Sequence, residues 1–168
     1  MSLEKVDLNW EEILSGAITG IVRETESLKA NIQWGHGASF DRYQKWGKTI
    51  SGCLSEMALA KIMKSYFTHS VNNFQGKDLI INDKPVQVRS QLFSKSYKSL
   101  IIRKGFKAED YYFYVSDDTP TFYFHGYIQA KDCQKCGSWT NFGKNDRPYV
   151  WSIPLDKLKP ITEFINET

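Results

Sequence analysis

Four side chains in the middle of this chain are of the types that hold a hard cation against a phosphate. Glu56 lies in Gly52-Cys53-Leu54-Ser55-Glu56, Asp78 opens Asp78-Leu79-Ile80-Ile81, and Gln87 and Arg89 alternate with valines in Val86-Gln87-Val88-Arg89. Carboxylate and carboxamide oxygens are donors that suit Mg²⁺, and a bound divalent ion polarises a phosphoryl oxygen and acidifies a water. A guanidinium beside them orients a phosphate through paired hydrogen bonds. Such a set has the composition that phosphodiester cleavage needs. Each member also has a plainer reading. Glu56 can pair with Lys61 or Lys64 on its own helix, Asp78 can simply begin a hairpin, and Gln87 and Arg89 can form the solvent side of a strand.

The elements that must position these groups are legible from periodicity. From about Leu8 to Leu28, apolar residues recur at Trp10, Ile13, Leu14, Ala17, Ile18 and Ile21, which predicts an amphipathic helix capped by Asp7 or Asn9. A second helix is expected from near Thr49 to Ser65, with Ile50, Leu54, Met57, Ala58, Ile62 and Met63 facing inward and Glu56 beside that stripe. The period then becomes extended. Asp78–Ile81 and Pro85–Arg89 read as strands around Asn82-Asp83, and Tyr111–Val115 and Thr121–Ile128 as a hairpin around Asp117–Pro120. Tyr149–Ile153 adds a last strand, and Leu155–Ile165 a short helical cap between Pro154 and Pro160. The expected fold class is α+β or mixed α/β, a central mixed sheet with flanking helices.

A two-residue turn at Asn82-Asp83 pairs Ile81 with Lys84 and sets Asp78 opposite Gln87, with Cβ atoms about 4.5–5.5 Å apart on one face. Gln87 and Arg89 then share that face while Val86 and Val88 enter the core. A helix packed on the polar side would deliver Glu56.

The segment Gly52–Lys61, followed by Gly76–Ile81 and Val86–Ser90, resembles the PD-(D/E)xK nuclease superfamily, and most of all its small phage-type members. The closing Tyr149–Leu155 with Leu158 and Pro160, and Gly126-Tyr127-Ile128, are similar to their final strand and cap. The resemblance spans residues 47–165 and implies a restriction-endonuclease-like core after an N-terminal helical segment, residues 1–46, in one domain of 168 residues. It implies that Glu56, Asp78 and Gln87 hold Mg²⁺ or Mn²⁺ and that all four residues belong to a catalytic centre. Gln87 stands where Glu or Asp is usual, which removes one negative charge. Arg89 stands where Lys is usual, and its pKa above about 12 bars it from acting as a base at neutral pH. Two activities follow: a metal-dependent endonuclease acting on DNA, weakened by the Gln-x-Arg variation, or a catalytically inactive relative that binds nucleic acid. Homodimer formation is left open.

Charge distribution bears on the second. Net charge is only +3, but Lys84, Arg89, Lys95, Lys98, Arg103, Lys104 and Lys107 fall in one stretch without an acidic residue. Such a stretch can hold a polyanion or be a solvated basic loop. No run approaches the roughly 18 apolar residues of a membrane span, and no basic segment leads an apolar one at the N-terminus, so a cytoplasmic protein is expected.

Other signals are weaker. Cys133-Gln134-Lys135-Cys136 has the spacing of half a zinc site, but no second pair follows. Completion would draw on His125, His36, His69 or Cys53, so two reduced thiols in a loop are the simpler reading. His125 reads as a hydrogen-bonded structural histidine. Trp34, Tyr43, Trp46 and Trp139 flank basic residues and suit either base stacking or the core. Gly35-His36-Gly37 does not match a phosphate-binding loop.

Overall fold

Capping boxes start both long helices. Ahead of α1 (Trp10–Lys29), the Asn9 side chain accepts the Glu12 N–H at 2.8 Å while Glu12 accepts the Asn9 N–H at 2.7 Å. Asp41 and Gln44 make the same reciprocal pair ahead of α2 (Arg42–Ile62). Each helix ends on a left-handed residue, Asn31 at φ 55° and Lys64 at φ 52°. The Ile32 and Ser65 N–H groups then reach back to the Ser27 and Ala60 carbonyls. The computed structural model describes residues 3–32, 40–71, 76–95, 99–144 and 146–166.

Alternating β-branched and aromatic residues form the strands. β1 (Glu4–Asp7), β2 (Leu79–Ile81), β3 (Lys84–Leu92), β5 (Tyr111–Asp118) and β6 (Thr121–Gln129) make a five-stranded sheet in the order β1-β6-β5-β3-β2. β3 and β5 run parallel and the other pairs antiparallel. β4 (Ser99–Arg103), β8 (Val150–Pro154) and β7 (Ser138–Thr140) form a separate antiparallel sheet. Two short helices, α3 (Cys133–Cys136) and α4 (Ile161–Asn166), complete the fold. The class is mixed α+β, as expected. The closing strand does not extend the main sheet but belongs to the smaller one.

Two cores lie on opposite faces of the large sheet. On one face Leu54, Ala58 and Leu59 of α2 and Phe164 of α4 pack on Val86, Val88, Phe113 and Phe122. On the other, Tyr112, Tyr114 and Ile128 meet Leu100, Ile102 and Ile153 of the small sheet. Each fully buried side chain of this kind stabilises the fold by about 1.5–3 kcal/mol.

Three expectations are corrected. α2 begins at Arg42, two turns before Thr49, because its polar first turns carry no apolar period. Most of the apolar stripe of α1 does not face inward: Ile13 packs against the core, but Trp10, Leu14, Ile18 and Ile21 are exposed, while Gly16, Thr19, Gly20 and Glu24 are buried against α2. The glycines allow that approach, since a Cβ on Gly20 would sit 2.7 Å from the Ile50 Cα. Finally, α2 covers the valine side of β3, not the side of Gln87 and Arg89. Among the described residues no helix is long and apolar enough to cross a membrane.

Candidate functional site

The β2–β3 hairpin carries three of the four candidate residues in the expected register. Asn82 and Asp83 form the two-residue turn, both at positive φ (51° and 60°), and Ile81 pairs with Lys84 and Leu79 with Val86. Asp78 lies just before β2. Its N–H donates to the Val86 carbonyl at 3.1 Å, and its Oδ2 accepts the Val88 N–H at 2.7 Å. The carboxylate is thereby turned across the hairpin, with Arg89 Nη1 3.8 Å away.

Gln87 and Arg89 share the face of Tyr112 and Tyr114, their parallel partners on β5. The Gln87 amide donates to Gly76 O at 3.4 Å, and its Oε1 accepts from Arg89 Nη2 at 3.5 Å. Arg89 lies over the Tyr112 ring at 5.1 Å and donates from Nη1 to its neighbour's carbonyl at 3.1 Å. Its buried Nε has no hydrogen-bond partner among the described residues. A buried donor left this way costs about 1–3 kcal/mol, so a ligand acceptor there would recover energy.

Glu56 comes from the opposite face, on a stretch of α2 buried from Cys53 to Ala60. Neither Lys61 nor Lys64 pairs with it. Arg23 of α1 donates from Nη1 to both Glu56 oxygens, at 3.0 and 2.8 Å, and to Cys53 Sγ at 3.2 Å. Arg23 is itself fixed by the Ser70 and Thr68 carbonyls, at 2.8 and 3.3 Å. Lys61 instead binds Glu12.

Electrostatics tie the cluster together. Burial, then the charge of Asp78, pushes the Glu56 pKa up to about 7, against the pull of Arg23 and Arg89. Asp78 is also raised, chiefly by burial, with Arg89 and the Val88 N–H opposing. Burial works against the Arg23 charge, yet Glu56 and Cys53 hold its pKa above the ordinary value. The Cys53 thiol, buried and beside Glu56, is pushed up to about 12 and stays protonated.

Arg103, at the end of β4, joins this group from the small sheet. Its pKa is lowered by partial burial and then by the like charge of Arg89, while Tyr112 works the other way. The two guanidinium groups, of which Arg89 lies beside Gln87 and over the Tyr112 ring, are suited to one anionic oxygen cluster. Half-buried Lys77 and buried Asp110 form an ion pair alongside, and Asp110 adds to the negative field at Asp78.

Of the other basic residues, Lys104 and Lys107 are exposed on the β4–β5 connection. Lys84 lies over the Tyr111 and Phe164 rings, on the opposite face from Arg103. Lys98 and the side chain of Lys95 lie outside the described residues, as do Trp34 and His36. Trp139 stacks on Tyr149 at 5.8 Å and leans on Trp151 at 5.2 Å. Tyr43 is exposed, and the Trp46 Nε1 is buried without a partner among the described residues. His125 hydrogen-bonds Ser116 at 2.6 Å across β5–β6, and His69 bonds Thr19 at 2.8 Å. Cys133 is buried in the core between the sheets, its thiol pushed up to about 11, and Cys53 lies in the core on the other face.

The oxygens of Asp78, Gln87 and Glu56 are of the type that suits Mg²⁺ or Mn²⁺. Their two negative charges are balanced by Arg89 and Arg23, so a divalent ion must share both carboxylates with guanidinium groups. Donor chemistry therefore fits, and charge balance works against tight binding. Among the described residues no three His, Cys, Asp or Glu side chains converge as a metal-binding group.

Arg23, Lys77 and Asp110 were not read as site residues from the sequence. Arg23 had a signal: Gly16, Thr19, Gly20 and Arg23 follow one another at helical spacing, a small and polar stripe that marks a second close-packed face. Comparison with protein-family models, curated proteins and solved structures gives no match, so the site stands on its own geometry.

Proposed function

We propose that the chain is a metal-dependent nuclease of the PD-(D/E)xK kind, with a restriction-endonuclease-like core, that hydrolyses DNA phosphodiester bonds in the cytoplasm. One observation carries this reading: Asp78, Gln87 and Arg89 meet at the edge of one hairpin while Glu56 and Arg103 approach from the layers above and below it. Asp78, Gln87 and Glu56 would hold Mg²⁺ or Mn²⁺. When bound, such an ion polarises the phosphate and acidifies a water. Arg89 and Arg103 hold the phosphate oxygens, and the buried Arg89 Nε is a donor left unpaired among the described residues. Tyr112 gives Arg89 a flat support, and the Val88 N–H fixes the orientation of the Asp78 carboxylate.

A second reading, nucleic-acid binding without hydrolysis, is favoured by the guanidinium group set against each carboxylate. Plasmid and single-stranded DNA incubated with Mg²⁺ and with Mn²⁺ separate the two. The nuclease reading expects divalent-dependent nicking that Asp78→Ala abolishes and Gln87→Glu/Arg89→Lys increases. The binding reading expects salt-sensitive retention of DNA that Arg103→Ala weakens, with no cleavage by any of these proteins. Absence of both cleavage and retention would refute both.

A further inference from the structure

We infer that the outer face of α1 is a homodimer interface, on which two copies of the chain pack antiparallel about a twofold axis at the level of Gly20. Six large apolar side chains lie on that face: Trp10 is 70% exposed, Leu14 52%, Ile18 51%, Ile21 42%, Val22 41% and Leu28 38%. At 100° per residue they fall within an arc of about 120°, the width of stripe a helix ordinarily turns to a core, and from Trp10 to Leu28 it runs about 27 Å. Scattered exposed leucines need no explanation, but a continuous strip does.

The charges on the helix choose the occupant. α1 carries Glu11, Glu12, Glu24 and Glu26 against Arg23 and Lys29. Helices that lie on membranes have the opposite balance, a polar face rich in Lys and Arg. A second α1 running the other way fits the strip. Glu11 and Lys29 are both exposed and lie on the same flank, at opposite ends of the helix. An antiparallel copy sets Glu11 beside Lys29 of the partner subunit, and the twofold axis repeats the pair. In the same register Trp10 meets Leu28 of the partner subunit, and Ile18 meets the partner's Ile21 and Val22. A parallel pair would instead set Glu11 and its copy at one level on opposite flanks, so that neither meets a lysine of the partner.

Because Arg23 projects from the inner side of the same helix, the dimer braces the Glu56 site from behind; the inference does not depend on the chemistry proposed there. Analytical ultracentrifugation of the full chain, over a concentration series reaching about 100 µM, is expected to show a reversible monomer–dimer equilibrium. Ile18→Glu should raise the dissociation constant by about 100-fold or more, since it buries an unpaired charge twice, with an unchanged circular dichroism spectrum. Glu11→Lys should weaken the dimer by up to about tenfold, and Glu11→Lys/Lys29→Glu should restore it. A chain that stays monomeric throughout, or a dimer that Ile18→Glu leaves intact, overturns the interface. A double swap no tighter than the single overturns the antiparallel pairing.

Discussion

The two long helices solve opposite problems. α2 lies between the sheet and α1, so every residue from Cys53 to Ala60 is buried, including Glu56. α1 lies outside, with one inner face, and it spends most of that face on Gly16, Thr19, Gly20, Arg23 and Glu24 while Ile18 and Ile21 remain exposed. The difference shows that a buried charge can outrank hydrophobic burial in deciding how a helix rotates. Leaving a carboxylate without a partner in the interior costs more than leaving several half-covered aliphatic side chains in water. Thr19 with His69, and Thr49 with Glu24, extend the polar seam.

Breaking the seam at its centre should have the largest effect. Arg23→Ala strands Glu56 and is expected to cost about 3–5 kcal/mol in chemical denaturation, while Arg23→Met/Glu56→Leu should lie much closer to wild type. A double variant as unstable as the single would mean that the carbonyl bonds of Arg23, not its ion pair, hold the helices together.

The pH dependence should come next. The folded-state pKa of Glu56 is raised from 4.5 to about 7, so the folded chain binds the extra proton. Its contribution is fully present below about pH 4.5 and is lost as pH rises through 7, on the order of 3 kcal/mol. The raised pKa of Asp78 acts in the same direction. Stability followed from pH 4 to 8 should decline less in Glu56→Gln; parallel curves would contradict the shift.

The steric side of the seam should yield a smaller change. A Cβ at Gly20 would fall 2.7 Å from the Ile50 Cα, so Gly20→Leu is expected to lower stability by roughly 1–3 kcal/mol. On the outer face of the same helix, Ile18→Ser should change monomer stability by no more than about 0.5 kcal/mol, measured at high dilution. Equal losses at the two positions would dissolve the contrast between the faces.

Much of the fold was legible because local signals and packing agreed. The Asn82-Asp83 turn fixed the β2–β3 register, and strict alternation in β3 sent the valines inward and Gln87 and Arg89 to the other side. The start of α2 was missed although Asp41-Arg42-Tyr43-Gln44 spells a capping box, because its first turns are polar and exposed. β1 and β7 have four and three residues, too few for a period; β1 forms by pairing with β6, far away in sequence, and β7 by pairing with the next strand, β8.

By itself the sequence determined which groups can do chemistry and how three of them align, since a tight turn and a two-residue period act over neighbouring positions. Tertiary structure alone decided that Glu56 reaches the hairpin from the valine side, that Arg23 neutralises it, and that Arg103 stands beside Arg89. Those relations join residues far apart in the chain, and they are set by the desolvation of buried charge, a quantity that has no period to read.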